Sequence, residues 1–363
     1  MGENITMSDI DKGPSIFIGA RGKDLISFGS GQPDIPPPIS VFDVLRGFPY
    51  FQYGNIKGEL PLRTSVANIM EKKFKVPSSP ENVVITNGAS EAINLIMSSN
   101  LDVGDKVLLT RPYYYSYLPL VHINRAAPVF TDLVNNKIDL EDVKEKVKGV
   151  KLMIVNSPSN PTGAVEDKKT LNALQEITED AGTFLLSDEV YNALVYEGKH
   201  YSPAGDNVIT VNSFSKTFSL CGFRVGYLSC MDDNVVNNVV SQKTHTSMNT
   251  SLLSQAVAFE TLKLPSRLIE KNRKIFKARR DLIYNRLLGL GLEVQKPEGA
   301  FYVMSKIDNP KKACFELYKN QNVIVYLGEW FGAPGTIRLS YPLELDKINE
   351  GIDRITSYLN DAR

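Results

Sequence analysis

Between residues 83 and 230, short apolar and β-branched runs alternate with stretches of helical periodicity. The runs Val83 to Ile85, Lys106 to Leu109, Pro128 to Phe130, Lys151 to Val155, Thr183 to Leu186, Val208 to Val211 and Val225 to Leu228 read as buried strands. Glu91 to Ser98, Leu140 to Val147 and Lys168 to Asp180 carry the apolar spacing of amphipathic helices. Such alternation predicts the α/β class, with a mainly parallel, seven-stranded-type sheet covered by helices on both faces. Ligands in these sheets bind beyond the carboxyl ends of the strands.

After about residue 250 the texture changes. Ser254 to Leu262 and Ser266 to Leu290 read as long helices followed by an α+β tail, and Pro33, Pro36, Pro37 and Pro38 end an N-terminal arm. The expected division is an arm over 1–42 that forms part of a small domain, a large domain over 43–250, and the rest of the small domain over 251–363. Six basic residues lie between Lys271 and Arg280, but Ile269, Ile275, Phe276, Leu282 and Ile283 form an apolar stripe. The charges therefore read as the solvated face of a helix rather than a nucleic-acid patch.

Forty-one Lys and Arg balance forty-one Asp and Glu, so no global field draws the chain to nucleic acid or a membrane. Cys221, Cys230 and Cys314 have no CxxC spacing, and His122, His200 and His245 are widely separated, which argues against a metal cage or a disulfide framework. Without an apolar leader or a run long enough to span a bilayer, a cytoplasmic location is expected. Gly2 begins a short myristoylation-like pattern and Asn4 a glycosylation sequon, both common by chance.

Chemistry concentrates at strand ends. Lys216 follows the run at Val208 to Val211 and sits among Ser213, Ser215 and Thr217. It reads either as a surface lysine or as a desolvated amine that attacks a carbonyl. Asp188 follows the run ending at Leu186, where burial is costly; it either caps a helix or pairs with a cation such as a protonated pyridine nitrogen. Thr86-Asn-Gly88-Ala89-Ser90-Glu91 turns from strand to helix. Its free N–H groups suit a phosphate, the alternative being a helix start capped by Ser90. Arg224 is placed to add a guanidinium to that phosphate.

With these motifs the sequence resembles the fold-type I pyridoxal-phosphate aminotransferases of class I/II, the aspartate/aromatic aminotransferase-like group, over nearly the whole chain. The resemblance implies Lys216 of SFSKTFSLCGFRVGY as the Schiff-base lysine, with Arg224 at the cofactor phosphate and Ser213 and Ser215 among the cofactor-binding residues. It implies Asn160 of NPTG and Tyr191 of DEVY at the cofactor's phenolic oxygen, and Asp188 at its ring nitrogen. NGASEA supplies Ala89 and Ser90 to the phosphate, and Tyr114 stacks on the ring, with Tyr113 and Tyr115 as the competing registers. Arg338 of TIRLSY grips the substrate carboxylate, with Gly31 and Asn160 beside it. PEGAFY, Pro297 to Tyr302, matches a further signature, and Tyr53 resembles a residue that reaches the partner's phosphate in a homodimer with shared active sites.

The implied activity is transfer of an amino group from an L-amino acid to a 2-oxo acid by a ping-pong pyridoxal 5′-phosphate mechanism, aspartate with 2-oxoglutarate being the first choice. An aromatic aminotransferase or a C–S β-lyase on the same cofactor is the alternative. Arg21, Lys23, Arg111 and Lys243 are candidate cations for a distal carboxylate, while Trp330, where the family has smaller residues, and Glu329 bear on the pocket. From other classes, Ser90 with Asp188 and His200 or His245 follows hydrolase order, and Ser213 to Lys216 matches SxxK without its companion motifs. A non-catalytic pyridoxal sensor is the remaining reading.

Overall fold

The computed structural model describes residues 5–17, 20, 22 and 24–361; Gly2, Asn4, Arg21 and Lys23 lie outside them. The strands are β1 Ile26–Ser27, β2 Val83–Thr86, β3 Lys106–Arg111, β4 Ala127–Val134, β5 Lys137–Ile138, β6 Val150–Asn156, β7 Phe184–Asp188, β8 Val208–Ser213, β9 Gly226–Cys230, β10 Tyr302–Lys306, β11 Val323–Ile324, β12 Tyr326–Leu327 and β13 Thr336–Ser340. One sheet runs in the order β2-β9-β8-β7-β6-β3-β4-β5. Its centre, β8-β7-β6-β3-β4, is parallel, whereas β9 and β5 run antiparallel to their neighbours.

All seven expected strands are present, and β5 is an eighth. It folds back on β4 because Asn135 and Asn136 both take positive φ, 51° and 60°, the pair of left-handed residues that a two-residue hairpin needs. Alternate residues of the central strands enter opposite cores. Val107, Leu109, Leu152, Ile154 and Leu186 pack beneath Ala89–Asn100 and Asp233–Thr246. Leu108, Met153, Val155 and Leu185 face Leu140–Lys146 and Lys168–Asp180. Burial on both faces explains why these runs lack alternation.

The strands extend past their apolar runs to end on polar residues. Register aligns Asn156 with Asp188, and Asp188 with Val211, so the ends of β6, β7 and β8 deliver their last side chains to one edge. A second sheet, β10-β13-β12, and the parallel pair β1-β11 share a core with Ser266–Gly289, Pro310–Gln321 and Leu345–Asp361.

The basic helix face is partly corrected. Arg280 is fully buried and bonded to Glu197 and Asp281 at 2.8 and 2.7 Å, and Arg279 forms a two-pronged pair with Asp34 at 2.6 and 2.8 Å. Their guanidinium groups join the helix to neighbouring segments instead of facing water. Among the described residues no helix is long and apolar enough to cross a membrane.

Candidate active site

A cavity of about 500 Å³ opens at the carboxyl edge of the large sheet, beside β10, β12 and β13. Lys216, in the short turn after β8, opens into it and donates from Nζ to the Gly31 carbonyl at 2.5 Å. Crowding by protein pushes its ammonium pKa below the usual value, and Arg224 and Arg338 push the same way against Cys221 and Asp188. The neutral amine is thereby favoured.

Asp188, at the end of β7, is 4% exposed. Its carboxylate accepts from the Tyr117 hydroxyl at 2.6 Å and the Val190 amide at 3.3 Å. Burial raises its pKa to about 6 despite those bonds. No ion pair reaches it among the described residues, and no helix follows for it to cap. This buried carboxylate wants a cation, which a protonated ring nitrogen supplies.

Gly88, not Ser90, is the residue before helix Ala89–Asn100, at φ 81°, and no side chain caps that helix. A Cβ on Gly88 would stand 2.6 Å from the Arg224 guanidinium. The hollow between the Ala89 and Ser90 amides and Arg224 therefore exists because residue 88 has no side chain. Arg224 itself takes positive φ and bonds to the Cys221 and Asn87 carbonyls at 3.0 and 3.3 Å, which fixes its direction. The Ser213 hydroxyl donates to that of Ser215 at 2.8 Å on the same wall. These groups fit a phosphate, and Asp188 fits a pyridinium.

On the opposite wall Arg338, 1% exposed, donates to Asn160 Oδ1 at 2.9 Å and to the Gly29 carbonyl. Tyr302, Tyr326 and Phe331 surround its guanidinium carbon at 4.5, 4.8 and 4.6 Å. Its Nε is buried without a partner. A buried cation with an unused donor at a cavity wall fits an anionic ligand. The Asn160 amide N–H donates to Asn156 Oδ1 at 2.7 Å, and Asn156 in turn donates to the Asp188 carbonyl at 3.0 Å. Tyr191 and Tyr302 share a hydroxyl hydrogen bond of 2.7 Å, and a side chain on Gly31 would overlap Tyr302.

The tyrosine register is narrowed: Tyr114 and Tyr115 line the cavity, while Tyr113 packs on Phe130 with ring centres 5.9 Å apart. Tyr53 is 81% exposed and outside its own chain's cavity. Two candidate distal cations are corrected. Arg111 is committed to Asp132 through two 2.8 Å bonds, and fully buried Lys243 to Glu91 and Ser247 at 2.9 and 3.2 Å. Trp330 bonds to the Ile10 carbonyl at 3.1 Å and, like exposed Glu329, does not line the cavity.

The hydrolase constellation does not form. His200 is bonded to Glu189 at 2.8 Å, His245 lies exposed, and neither lines the cavity with Ser90. Tyr117, the hydroxyl partner of Asp188, carries no sequence signal that singles it out, while Tyr302, the partner of Tyr191, and cavity-lining Cys221, 4.0 Å from the Lys216 amine, lie within quoted motifs that gave them no role.

A doubly covered sheet that brings a half-buried amine, a buried carboxylate and a cradle of free amides with a guanidinium to one edge fits the fold-type I pyridoxal-phosphate enzymes. Residues 23–355 match the family described as aminotransferase class I and II. The chain is 36% identical to a probable aspartate/prephenate aminotransferase of Aquifex aeolicus, covering 94% of this chain and 93% of that one. It is 35% identical to a probable aspartate aminotransferase of Methanocaldococcus jannaschii, with 91% and 92% covered. The structure of a Thermus thermophilus aspartate aminotransferase with maleate superposes at a TM-score of 0.90 and 28% identity, covering 98% of this chain and 97% of that one. The chain belongs to the class I and II aminotransferases. It is an enzyme that uses pyridoxal phosphate to move amino groups between amino acids and 2-oxo acids.

Proposed function

We propose that the chain transfers the amino group of aspartate to 2-oxoglutarate, with Lys216, Asp188 and Tyr191 as its catalytic residues. The observation that carries the assignment of roles is the single cavity uniting Lys216, Asp188 and Arg338. The names of the Aquifex and Methanocaldococcus relatives and the maleate bound to the Thermus enzyme support a dicarboxylate substrate. Of the four proposed distal cations, Arg21 and Lys23 are left. Tyr114, Tyr115 and Tyr326 in the cavity wall favour an aromatic substrate as the second reading.

When bound, pyridoxal phosphate supplies an electron-withdrawing ring that accepts the charge left as a substrate bond to Cα breaks. Ala89, Ser90, Ser213, Ser215 and Arg224 hold its phosphate, and Asn160 and Tyr191 its phenolic oxygen. Asp188 keeps a proton on the ring nitrogen, and Tyr114 packs against the ring. Arg338, with Asn160 and Gly31 beside it, holds the substrate carboxylate and so fixes which Cα bond faces Lys216. Lys216 Nζ would hold the cofactor in the resting enzyme and, as a free amine, would take the proton from substrate Cα. Mixing the enzyme with each amino acid in turn and following cofactor absorbance tests the substrate assignment. Aspartate should convert the cofactor fastest; faster conversion by an aromatic amino acid would replace the first reading by the second.

Arg338→Lys should lower kcat/KM by about 10²- to 10⁴-fold, because a point charge cannot reproduce two directed, charge-assisted bonds. The loss should appear largely in KM for both amino and oxo acid. An unchanged KM in steady-state kinetics would remove Arg338 from the carboxylate site.

The core that joins residues 5–28 to 276–358 supports treating the arm and C-terminal segment as one smaller domain. The free thiols of Cys221, Cys230 and Cys314 support a reducing, cytoplasmic compartment. Phe42, Tyr50, Phe51 and Tyr53, 78%, 61%, 89% and 81% exposed, form an apolar surface that a second copy of the chain would cover. This exposure supports a homodimer in which Tyr53 reaches the phosphate of the partner's cofactor. Tyr53→Phe should weaken cofactor binding by about 1.5 to 3 kcal/mol. Mixed dimers of Tyr53→Phe and Lys216→Ala chains should regain one intact site and hence activity. Full activity in a sedimenting monomer would contradict the shared site.

A further inference from the structure

Behind the loop that carries Asn160 lies a second, small cavity of about 20 Å³. It is bounded by Thr110 of β3, by Tyr113 and Tyr117, by Asn156 and Asn160, and by Glu166. Two buried polar atoms here have no partner, Thr110 Oγ1 and Glu166 Oε2. Glu166 is 4% exposed, and nothing in the proposed chemistry uses it. Leaving such atoms unpaired is costly, and a space this size holds one water molecule when polar groups line it.

Glu166 also stands where the loop closes. Its amide donates to Ser157 Oγ at 2.9 Å, tying the end of the loop to its beginning. Within the ring so formed, the Gly163 amide donates to the Ser159 carbonyl and the Ser159 amide to the Ala164 carbonyl, each at 2.9 Å. Asn160 sits in this ring with its side chain against Arg338. A change at Glu166 therefore reaches the cofactor wall through backbone already closed by hydrogen bonds.

We propose that Glu166, together with one ordered water bridging it to Thr110, is a positioning residue that holds the Asn160 loop in its cofactor-binding shape while its carboxyl is protonated and relaxes it on ionisation. Burial raises the Glu166 pKa to about 7, and nearby Asp167 and Glu298 push it up, against Lys137 and a hydrogen bond from the Ile138 amide. Lys137 is itself engaged, donating to the Val165 carbonyl at 2.5 Å and to Glu298 at 2.8 Å. Tyr113 and Tyr117, across the cavity, both have pKa values raised by burial and stay neutral in the same range. Glu166 is then the group facing this space that changes charge near neutral pH.

A carboxyl with a raised folded-state pKa leaves stability intact below its unfolded value near 4.5 and costs stability progressively as pH rises to about 7. Glu166→Gln keeps the shape and a neutral donor at every pH. The variant and the parent should therefore melt together, without cofactor, at about pH 4, and the variant should melt higher by about 2 °C or more at about pH 8.5.

The proposal rests on Asn160 touching the cofactor, so cofactor dissociation constants are measured in parallel for the parent, Glu166→Gln, Glu166→Ala and Asn160→Ala. Parent and Glu166→Gln should bind equally at about pH 5.5, and the parent at least about threefold more weakly at about pH 8.5. Glu166→Ala should be weak at both. Comparing two chains at each pH cancels the titration of the cofactor itself. A melting gap that does not change with pH overturns the proposal. A gap that widens without any pH-dependent difference in affinity, while Asn160→Ala does weaken binding, leaves Glu166 purely structural and overturns its positioning role. If Asn160→Ala binds normally, the Asn160 assignment is what fails, and the melting gap alone then decides whether Glu166 braces the loop.

Discussion

Lys216→Ala should lower steady-state transamination by about 10⁴-fold or more while the protein still binds its cofactor. On the proposed assignment the lysine supplies two things at once, the covalent link and the amine that moves the Cα proton. The anchors are separate from it: the hollow at Gly88 with Arg224, the Ser213 and Ser215 hydroxyls, and Asp188 all belong to other residues. In the folded chain the Lys216 amine bonds to the Gly31 carbonyl and lies 4.0 Å from Cys221 Sγ, both at the cavity, so its removal leaves the core intact. Retained cofactor absorbance after gel filtration, with turnover lost, is the expected result. A small free amine added to the variant should restore part of the rate, because the cavity vacated by the side chain admits a proton carrier. Near-normal turnover without rescue would show that another group does this work.

Lys216 and Asp188 stood out in the sequence for a physical reason, whereas the roles of Asn160 and Arg338 came from the family resemblance. Each of the first two is a charged residue set next to an apolar strand, where burial would be unfavourable without a purpose. Strands buried on both faces were equally legible, because a continuous apolar run of strand length avoids water only when both its faces are covered. What escaped reading depends on contacts between distant segments. β5 is two residues long and exists because Asn135 and Asn136 turn the chain, while β1 gains its partner, β11, from nearly 300 residues away. Tyr117 and Tyr302 are two of sixteen tyrosines, and only the register of the fold brings their hydroxyls to Asp188 and Tyr191. Arg280 misled the periodicity argument, since arginine counts as polar although its stem and guanidinium can be buried when carboxylates and carbonyls satisfy it.

The second large effect should separate stability from catalysis at one residue. In the cofactor-free protein Asp188 is a buried carboxyl whose pKa is raised to about 6 from the ordinary 3.8. Such a group costs nothing below its unfolded pKa and becomes a burden as pH climbs through about 6, worth about 2 to 3 kcal/mol at pH 7 and above. Asp188→Asn removes the charge and keeps one acceptor oxygen for the Val190 amide, while its NH2 can donate to the Tyr117 hydroxyl oxygen. The cofactor-free variant should therefore melt higher than the parent at about pH 8 and equally at about pH 4. Catalysis should move the opposite way. On the proposed assignment the carboxylate holds a proton on the ring nitrogen, and that proton matters most as negative charge develops when substrate Cα loses its own. Removal of the Cα proton should slow by about 10²- to 10³-fold, with a much smaller change in substrate binding. The cost that Asp188 imposes on the empty fold is thus the same charge that the bound pyridinium uses. Stopped-flow traces with Cα-deuterated substrate separate the steps: a large isotope effect on a slowed transfer is expected, and an unchanged proton-transfer rate would show that Asp188 does not serve the ring nitrogen.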